Sequence, residues 1–122
     1  MTVQHIVIIG ASRGIGRGLA EAFASAGAQV VSTVRHEKGN EDAHPRISTQ
    51  VVDMTDPVSC ARLQEALSTV TIDALVVNAG VFGPDHQSVS QVTEEEIASL
   101  FMTNAVAPVR LAQALLPQVR EG

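Results

Sequence analysis

The strongest constraint on the fold is a run of β-branched residues that leads directly into a glycine-rich turn. The stretch reads VIIGASRGIG and extends from Val7 to Gly16. A continuous β-branched run is typical of a strand that is buried on both faces of a parallel sheet. Gly10, Gly14 and Gly16 follow with the spacing G-x-x-x-G-x-G, and apolar residues after them recur at helical intervals. The chain is therefore predicted to begin with a strand, a tight turn and a helix.

The alternation of strand and helix continues along the chain. Predicted strands cover residues 5–10, 28–34, 46–52 and 72–80. The polar stretch 35–45 is predicted to be a loop with a short helical turn, and residues 81–91 form a second loop. Strands that alternate with helices predict a parallel, doubly wound sheet, because parallel strands need crossover connections. We expect an α/β fold of the three-layer Rossmann type, in one domain over residues 1–122.

Helix boundaries can also be predicted. Gly27 suits the end of the first helix, and Asp56 with Pro57 suits the start of the second. Thr93 and Glu96 form a capping box for a third helix, which is predicted to continue to about residue 119. The apolar stripe predicted for the first helix consists of Ile15, Leu19, Phe23 and Ala26. The stripe predicted for the second consists of Leu63, Ala66, Leu67 and Val70.

Composition and charge argue against several classes of protein. The net charge is −5 and there is no basic cluster, which disfavours a nucleic acid or an acidic membrane as partner. No apolar run approaches the roughly 18 residues that a spanning helix needs, and the first residues do not resemble a signal peptide. Cys60 is the single cysteine, which excludes an internal disulfide and suits a reducing compartment. We therefore expect a cytoplasmic location.

Metal chemistry and a cysteine nucleophile are not indicated either. Cys60 falls in a predicted helix, where a small buried thiol is expected. The histidines are scattered without metal-ligand spacing, and surface or strand-flanking positions are expected for all of them. They are His5, His36, His44 and His86.

The glycine-rich turn is suited to bind a phosphate group. Glycines allow a tight turn and let backbone amides approach an anion with no Cβ in the way. The following helix presents the positive end of its dipole to the same anion. Three glycines alone also fit a plain strand-to-helix turn, but here strand, glycines, helix and next strand occur in the order that the motif requires. We expect this turn to bind the pyrophosphate of a dinucleotide.

The end of the second predicted strand favours NADP(H) over NAD(H). An NAD site places a carboxylate roughly 20 positions after the glycines, where it binds the ribose hydroxyls. This chain has Arg35 there, in the stretch STVRH. An arginine pairs with a 2′-phosphate, and Arg13 in the glycine turn is a second nearby cation. The alternative is that Arg35 is a solvated charge at a strand end.

Four stretches together resemble the short-chain dehydrogenase/reductase family: GASRGIG, VVDMTD, VVNAG and FMTNAVAP. They occur in the family's order along the whole chain. The resemblance implies an NAD(P)-dependent oxidoreductase that transfers a hydride between the nicotinamide and a carbonyl or alcohol. It also implies the strand order 3-2-1-4, truncated here before the family's fifth strand.

The same resemblance implies which residues contact the cofactor. Asp53 would accept from the adenine amino group, with Met54 beside the ring. The residues that would line the diphosphate are Gly10, Ser12, Arg13, Gly14, Ile15 and Gly16. Those along the adenine ribose and the sheet centre would be Asn78, Ala79 and Gly80. Two alternatives remain, because Asp53 also suits a helix cap, a role that Asp56 already fills, and Gly80 also suits a plain turn.

Two positions depart from the family pattern. Ile9 stands where the family often has threonine before the first glycine, and Val77 stands where it often has a second asparagine. Both changes remove a side-chain hydrogen bond. They affect the fine positioning of a nucleotide rather than the existence of its site.

Asn104 and Pro108 predict a distortion in the last helix. Pro108 has no N–H, so the carbonyl of Asn104 lacks its helical partner and the helix bends. That carbonyl can hold a water, and in the family the matching asparagine connects such a water to the catalytic lysine. The alternative is a tolerated kink without a functional role.

The family's Tyr-x-x-x-Lys pair is missing from this sequence. The chain contains no tyrosine, and Lys38 lies in a loop at the adenosine end. We expect either the NADP(H)-binding half of an oxidoreductase or a catalytically inactive nucleotide-binding or interaction module. A mononucleotide-binding regulator is a weaker third possibility.

Two apolar surfaces predict a protein partner, either a second copy or a complementing C-terminal half. The fourth strand is expected at an edge of the sheet, where unpaired amides invite pairing. The last helix is apolar over much of its circumference. Its apolar residues are Leu100, Phe101, Met102, Val106, Val109, Leu111, Leu115 and Leu116.

Overall fold

The computed structural model describes residues 4–36, 44–81 and 83–121. The predicted helical turn within 35–45 and Lys38 lie largely or wholly outside these residues. The strands are β1 (His5–Ile9), β2 (Gln29–Val34), β3 (Ile47–Val51) and β4 (Ala74–Val77). The α-helices are α1 (Gly14–Ser25), α2 (Pro57–Ala66), α3 (Glu94–Phe101) and α4 (Ala107–Leu115). A π-helical turn (Met102–Val106) joins α3 to α4, and a 3₁₀ turn (Leu116–Gln118) follows α4.

The four strands form one parallel sheet in the order β3-β2-β1-β4. Ile6 of β1 is in register with Val30 of β2, and Val7 is in register with Leu75 of β4. The predicted fold class is therefore confirmed. The carboxyl ends of all four strands meet at one edge, where ligands bind in sheets of this type.

Side chains of β1 alternate between two apolar cores, one on each face of the sheet. Ile6 and Ile8 pack in the core that includes Ala20 and Ala24 of α1. Val7 and Ile9 pack in the opposite core with the apolar residues of α2 and α4, which are Leu63, Leu67, Leu111 and Leu115. This arrangement explains why β1 is apolar from Ile6 to Ile9.

The inner faces of α1 and α2 differ from the predicted stripes. The buried residues of α1 are Gly16, Ala20 and Ala24, whereas Ile15 is 74% exposed. Leu19 and Phe23 flank the buried residues, and Ala26 forms the exposed C-cap. Small residues face the sheet because α1 begins so close to β1. In α2, Leu63 and Leu67 are buried as predicted, but Ala66 is exposed and Val70 lies beyond the helix end.

The last predicted helix is not continuous to residue 119. It is interrupted by the π-helical turn and ends before Val119, which forms a parallel bridge with Ile72. The amide of Ile72 donates to the Gln118 carbonyl at 2.7 Å, and the amide of Arg120 donates to the Ile72 carbonyl at 2.8 Å. The exposed apolar surface of the last helical region is also narrower than predicted, because Leu111 and Leu115 face the protein's own core.

The Asp73 carboxylate connects Arg120, in the segment after the 3₁₀ turn, to His5 at the amino end of the sheet. It accepts from the His5 amide at 2.8 Å and from Nε of Arg120 at 2.8 Å. The His5 amide, followed by the charge and hydrogen bond of Arg120, lowers the pKa of the Asp73 carboxyl. A lowered folded-state pKa means that the ionised carboxylate stabilises the fold.

We predict that Asp73→Asn lowers the free energy of unfolding at pH 7 and that this difference shrinks in acid. The stabilisation is present above the unfolded pKa of about 3.9 and is lost as the pH falls through the lower folded-state pKa. Urea unfolding at pH 7 and below pH 3 measures it. Asp85→Asn, at an exposed loop position, is the control for the change of charge. If Asp73→Asn lowered the free energy of unfolding by the same amount at both pH values, this role of Asp73 would be contradicted.

Candidate functional site

The glycine turn after β1 has two residues in the left-handed region. Gly10 has φ 88° and Gly14 has φ 62°. The turn is anchored to β2 because the amide of Gly10 donates to Oγ1 of Thr33 at 3.0 Å, and the amide of Ala11 donates to the Thr33 carbonyl at 2.8 Å. A β2 residue therefore holds the turn in place, which the sequence analysis did not foresee.

Gly10 and Gly16 are required by close packing. A Cβ at Gly16 would lie 2.0 Å from the Gly10 carbonyl oxygen and 2.8 Å from Nδ2 of Asn78. A Cβ at Gly10 would lie 2.6 Å from the backbone of Ala79. The start of α1 thus packs directly against the turn and the end of β4.

Gly14 differs, because a Cβ there would meet no atom of the described residues within 4 Å. It begins α1, and the N-cap residue Arg13 has an extended backbone. Arg13 carries no side-chain acceptor, so its side chain cannot cap the first amides of α1. The first amides of an α-helix have no partner within the helix, and the helix dipole places partial positive charge beside them. This N-terminus at the carboxyl end of β1 therefore suits a phosphate group. Arg13 itself is exposed beside them, and Ser12 is half-buried.

Asn78 reinforces the same turn with its side chain. Its Nδ2 donates to the carbonyl of Gly10 at 3.2 Å. The resemblance predicted a place for Asn78 along the adenine ribose and a role at the sheet centre. The contact with Gly10 had no signal in the sequence, because it depends on β1 and β4 being neighbours.

Asp53 and Arg35 lie at the carboxyl ends of β3 and β2. Oδ1 of Asp53 accepts from the Thr55 hydroxyl at 2.6 Å and from the Thr55 amide at 2.9 Å. These bonds lower the pKa of the Asp53 carboxyl, and the charge of Arg35 lowers it further. The cap of α2 is Asp56, which accepts from the Val58 amide at 3.0 Å. The helix-cap alternative for Asp53 is therefore wrong.

Met54 and Cys60 lie beside Asp53. Met54 packs partly against the core, and its carbonyl is 3.4 Å from Sγ of Cys60. Burial, with the charges of Asp53 and Asp56, raises the pKa of the Cys60 thiol. Cys60 is half-buried rather than fully buried as predicted, and it lies in α2 against the core, as a structural cysteine does.

Asn104 holds the segment that follows β4. Its Nδ2 donates to the Val81 carbonyl at 2.7 Å, and its Oδ1 accepts from the Val81 amide at 2.8 Å. A Cβ at Gly80 would lie 3.2 Å from the same Oδ1. The sequence pattern around Asn104 and Pro108 indicates a role for the main-chain carbonyl of Asn104 but not this paired side-chain contact, which joins residues 23 positions apart.

The predicted distortion near Pro108 takes the form of the π-helical turn. The amide of Ala107 donates to the Met102 carbonyl, five residues earlier, and Pro108 has no amide to continue the pattern. Asn104 lies inside this turn. The structure thus brings Asn104 to the end of β4.

The histidines do not converge. His5 lies at the amino end of β1, His44 precedes β3 and His86 lies between β4 and α3. Across residues 4–36, 44–81 and 83–121, no group of three His, Cys, Asp or Glu side chains is placed to hold a metal ion. Of the helices in the same ranges, none has the length and apolarity for a bilayer crossing.

Comparison with known proteins gives one family match and two similar curated proteins. The profile of the short chain dehydrogenase family matches residues 4–122. The chain is 35% identical to 1-deoxy-11-beta-hydroxypentalenate dehydrogenase of Streptomyces arenae, over 94% of this chain and 44% of that protein. It is 30% identical to 3-oxoacyl-[acyl-carrier-protein] reductase of Escherichia coli, over 90% of this chain and 47% of that one. The chain thus spans less than half the length of these curated relatives.

The fold also matches a solved enzyme. A carbonyl reductase from Pseudomonas aeruginosa, crystallised in complex with NADP, superposes with a TM-score of 0.88 and 42% identity. The match covers 96% of this chain and 56% of the reductase.

We predict opposite effects of alanine at two glycines of α1. Gly16→Ala should lower the free energy of unfolding by about 2–4 kcal/mol, because its Cβ overlaps the Gly10 backbone. Gly18→Ala should raise it by about 0.5–1 kcal/mol, because a Cβ at Gly18 meets no atom of the described residues within 4 Å and alanine favours the helix. Urea unfolding measures both, and a tolerated alanine at position 16 would contradict the packing.

Proposed function

Because this chain belongs to the short-chain dehydrogenase family, we propose that it binds NADP(H) at the carboxyl ends of its strands. The observation that carries the proposal is the start of α1 at the end of β1, where a Cβ at Gly14 would meet no atom of the described residues within 4 Å and the first-turn amides have no partner within the helix. A diphosphate satisfies these amides and the helix dipole together. Ile15 supports this placement, because it is 74% exposed and lies where a bound nucleotide would cover it.

Each part of the dinucleotide has a proposed set of contacts. The diphosphate is held by the turn residues Gly10, Ser12, Arg13, Gly14, Ile15 and Gly16. The adenine lies against Asp53 and Met54, and its ribose passes Asn78, Ala79 and Gly80. Oδ1 of the Asp53 carboxylate is engaged by Thr55, whereas Oδ2 has no hydrogen-bond partner among residues 4–36, 44–81 and 83–121.

The proposed preference for NADP(H) rests on two arginines. Arg35 is exposed at the end of β2, close enough to Asp53 to lower the pKa of that carboxyl. Arg13 is exposed in the glycine turn. Two guanidinium groups at this end of the sheet favour a doubly charged 2′-phosphate over a ribose hydroxyl.

The proposed activity of the whole protein is oxidoreduction of a carbonyl or alcohol. The nicotinamide, when bound, supplies or accepts the hydride. The residues of this chain bind and orient the dinucleotide, and the Asn104 carbonyl is proposed to hold a water beside the site. The sequence has no tyrosine, so the family's acid–base group must come from outside these 122 residues.

The absence of tyrosine also favours the second candidate, a nucleotide-binding module without turnover. The isolated chain should bind NADPH without oxidising it under either candidate. Addition of a polypeptide that supplies a Tyr-x-x-x-Lys pair distinguishes the two, because NADPH oxidation in the presence of a simple ketone should then appear for the oxidoreductase half and not for the module. AMP is the probe for a mononucleotide regulator. If AMP binds as tightly as NADPH, the proposal of a dinucleotide site is wrong.

We predict that calorimetric titration gives tighter binding of NADPH than of NADH. Arg35→Asp should weaken NADPH binding about tenfold to a hundredfold, through loss of a charge-assisted bond, and should change NADH binding much less. Arg62→Asp, on the exposed face of α2, is the control. Equal affinities of the parent chain for NADPH and NADH would contradict the proposed role of Arg35.

We also propose that residues 1–122 form one domain and that it docks through α3 and α4 onto a second copy or a complementing C-terminal half. The exposed apolar residues on this surface support the proposal, since unpartnered apolar patches favour association. They are Ile97, Phe101, Met102, Val109 and Leu116.

For the isolated chain, we predict a dimer or larger species in analytical ultracentrifugation at micromolar concentration. Phe101→Glu should shift the distribution towards monomer, because Phe101 is 63% exposed on the proposed surface. Val89→Glu is the matched control, because Val89 is 92% exposed but lies in the loop before α3. A monomer throughout would count against self-association.

A further inference from the structure

His86 organises the loop of residues 83–92, between β4 and α3. Its Nδ1 accepts from the amide of Ser88 at 3.1 Å, and its Nε2 lies 3.2 Å from Oε2 of Glu96 in α3. Glu96 thereby joins the loop to the helix. Both side chains are about 30% exposed, so the contact is partly shielded from solvent.

These two contacts define the protonation state of the ring. Nδ1 faces an N–H donor, so it must carry a lone pair rather than a proton. Nε2 faces a carboxylate, so it must carry the hydrogen. The observed geometry is therefore that of a neutral imidazole with its hydrogen on Nε2.

The turn that His86 closes includes a residue in an unfavourable conformation. Gln87 has φ 49°, in the left-handed region that disfavours residues with a side chain. The Ser88–His86 bond helps to keep this turn closed. Protonation of Nδ1 removes the acceptor and sets two donors against each other, so it favours opening of the turn.

Glu96 stays engaged in both states. Its Oε1 accepts from the Thr93 amide at 3.0 Å, while the Thr93 hydroxyl accepts from the Glu96 amide at 3.1 Å. The Thr93 amide, ahead of the smaller effects of the Thr93 and His86 side chains, lowers the pKa of the Glu96 carboxyl. A protonated His86 would thus keep an anionic partner on α3 after releasing Ser88.

We propose that His86 is a proton-sensitive latch that holds the loop of residues 83–92 closed when neutral and releases its Ser88 turn when protonated. Among the described residues, the charged group in contact with the ring is Glu96. The other carboxylates nearby in sequence are Asp85 on the loop and Glu94 and Glu95 on α3.

The latch borders a cavity of about 320 Å³ between the loop and the first turns of α3. Glu96 lines this cavity together with Pro84 and Leu100, and Val81 lines the side nearest the end of β4. The loop and α3 therefore both contribute walls to this cavity.

The test is an NMR titration of the chain through the pH range in which histidines ionise. Above that range, the His86 ring should carry its hydrogen on Nε2. The Ser88 amide resonance should then shift with the same midpoint as the ring. A ring with its hydrogen on Nδ1, or a Ser88 resonance that does not follow His86, would overturn the proposal.

His44 is an internal control. Its Nδ1 accepts from the Arg46 amide at 3.1 Å, which is the same contact two residues along the chain. The Arg46 resonance should follow His44, whereas the Thr93 and Glu96 amides should follow His86 alone. If the α3 amides do not follow His86, the latch is not coupled to that helix.

Glu96→Gln separates charge from structure. Glutamine keeps the capping box, so α3 remains intact. Loss of the carboxylate should change the pH response of the Ser88 amide resonance and leave that of the Arg46 amide unchanged. An unchanged response of Ser88 would contradict the coupling. None of these readouts requires a nucleotide, so failure of the latch leaves the proposed NADP(H) site intact.

Discussion

The contact between Gly16 and the carbonyl of Gly10 leaves no space for a side chain where α1 meets the sheet. A Cβ at Gly16 would lie 2.0 Å from that oxygen. Because the helix starts this close, its N-terminus lies at the carboxyl end of β1. The small inner face of α1, with Ala20 and Ala24, follows from the same approach. Both the proposed phosphate site and the packing of one layer therefore depend on this contact.

Two asparagine side chains extend this constraint along the end of β4. Asn78 binds the Gly10 carbonyl, and Asn104 binds both backbone groups of Val81. The intervening residues are thereby fixed to the glycine turn on one side and to the π-helical turn on the other. These side-chain contacts connect the glycine turn, the end of β4 and the π-helical turn next to the proposed dinucleotide site.

Features that depend on local chemistry could be predicted from the sequence. The β-branched run of β1, the Asp56 cap and the Thr93–Glu96 box all follow from residue type and spacing, and all are present. Features that depend on distant partners could not. The outward position of Ile15 follows from the depth at which α1 packs, and Val119 leaves the helix because it pairs with Ile72. Asn78 contacts a residue 68 positions away in the sequence, and Asn104 contacts one 23 positions away. No local sequence pattern predicts such contacts.

We expect the first amides of α1 to bind a phosphate group. A crystal structure of the chain with NADP⁺ provides the sharpest test. Diphosphate oxygens should lie within about 3 Å of backbone amides in the turn and first helical turn, with the 2′-phosphate beside Arg35. Density for the dinucleotide elsewhere, or a glycine turn filled by protein atoms of a neighbouring chain, would contradict it.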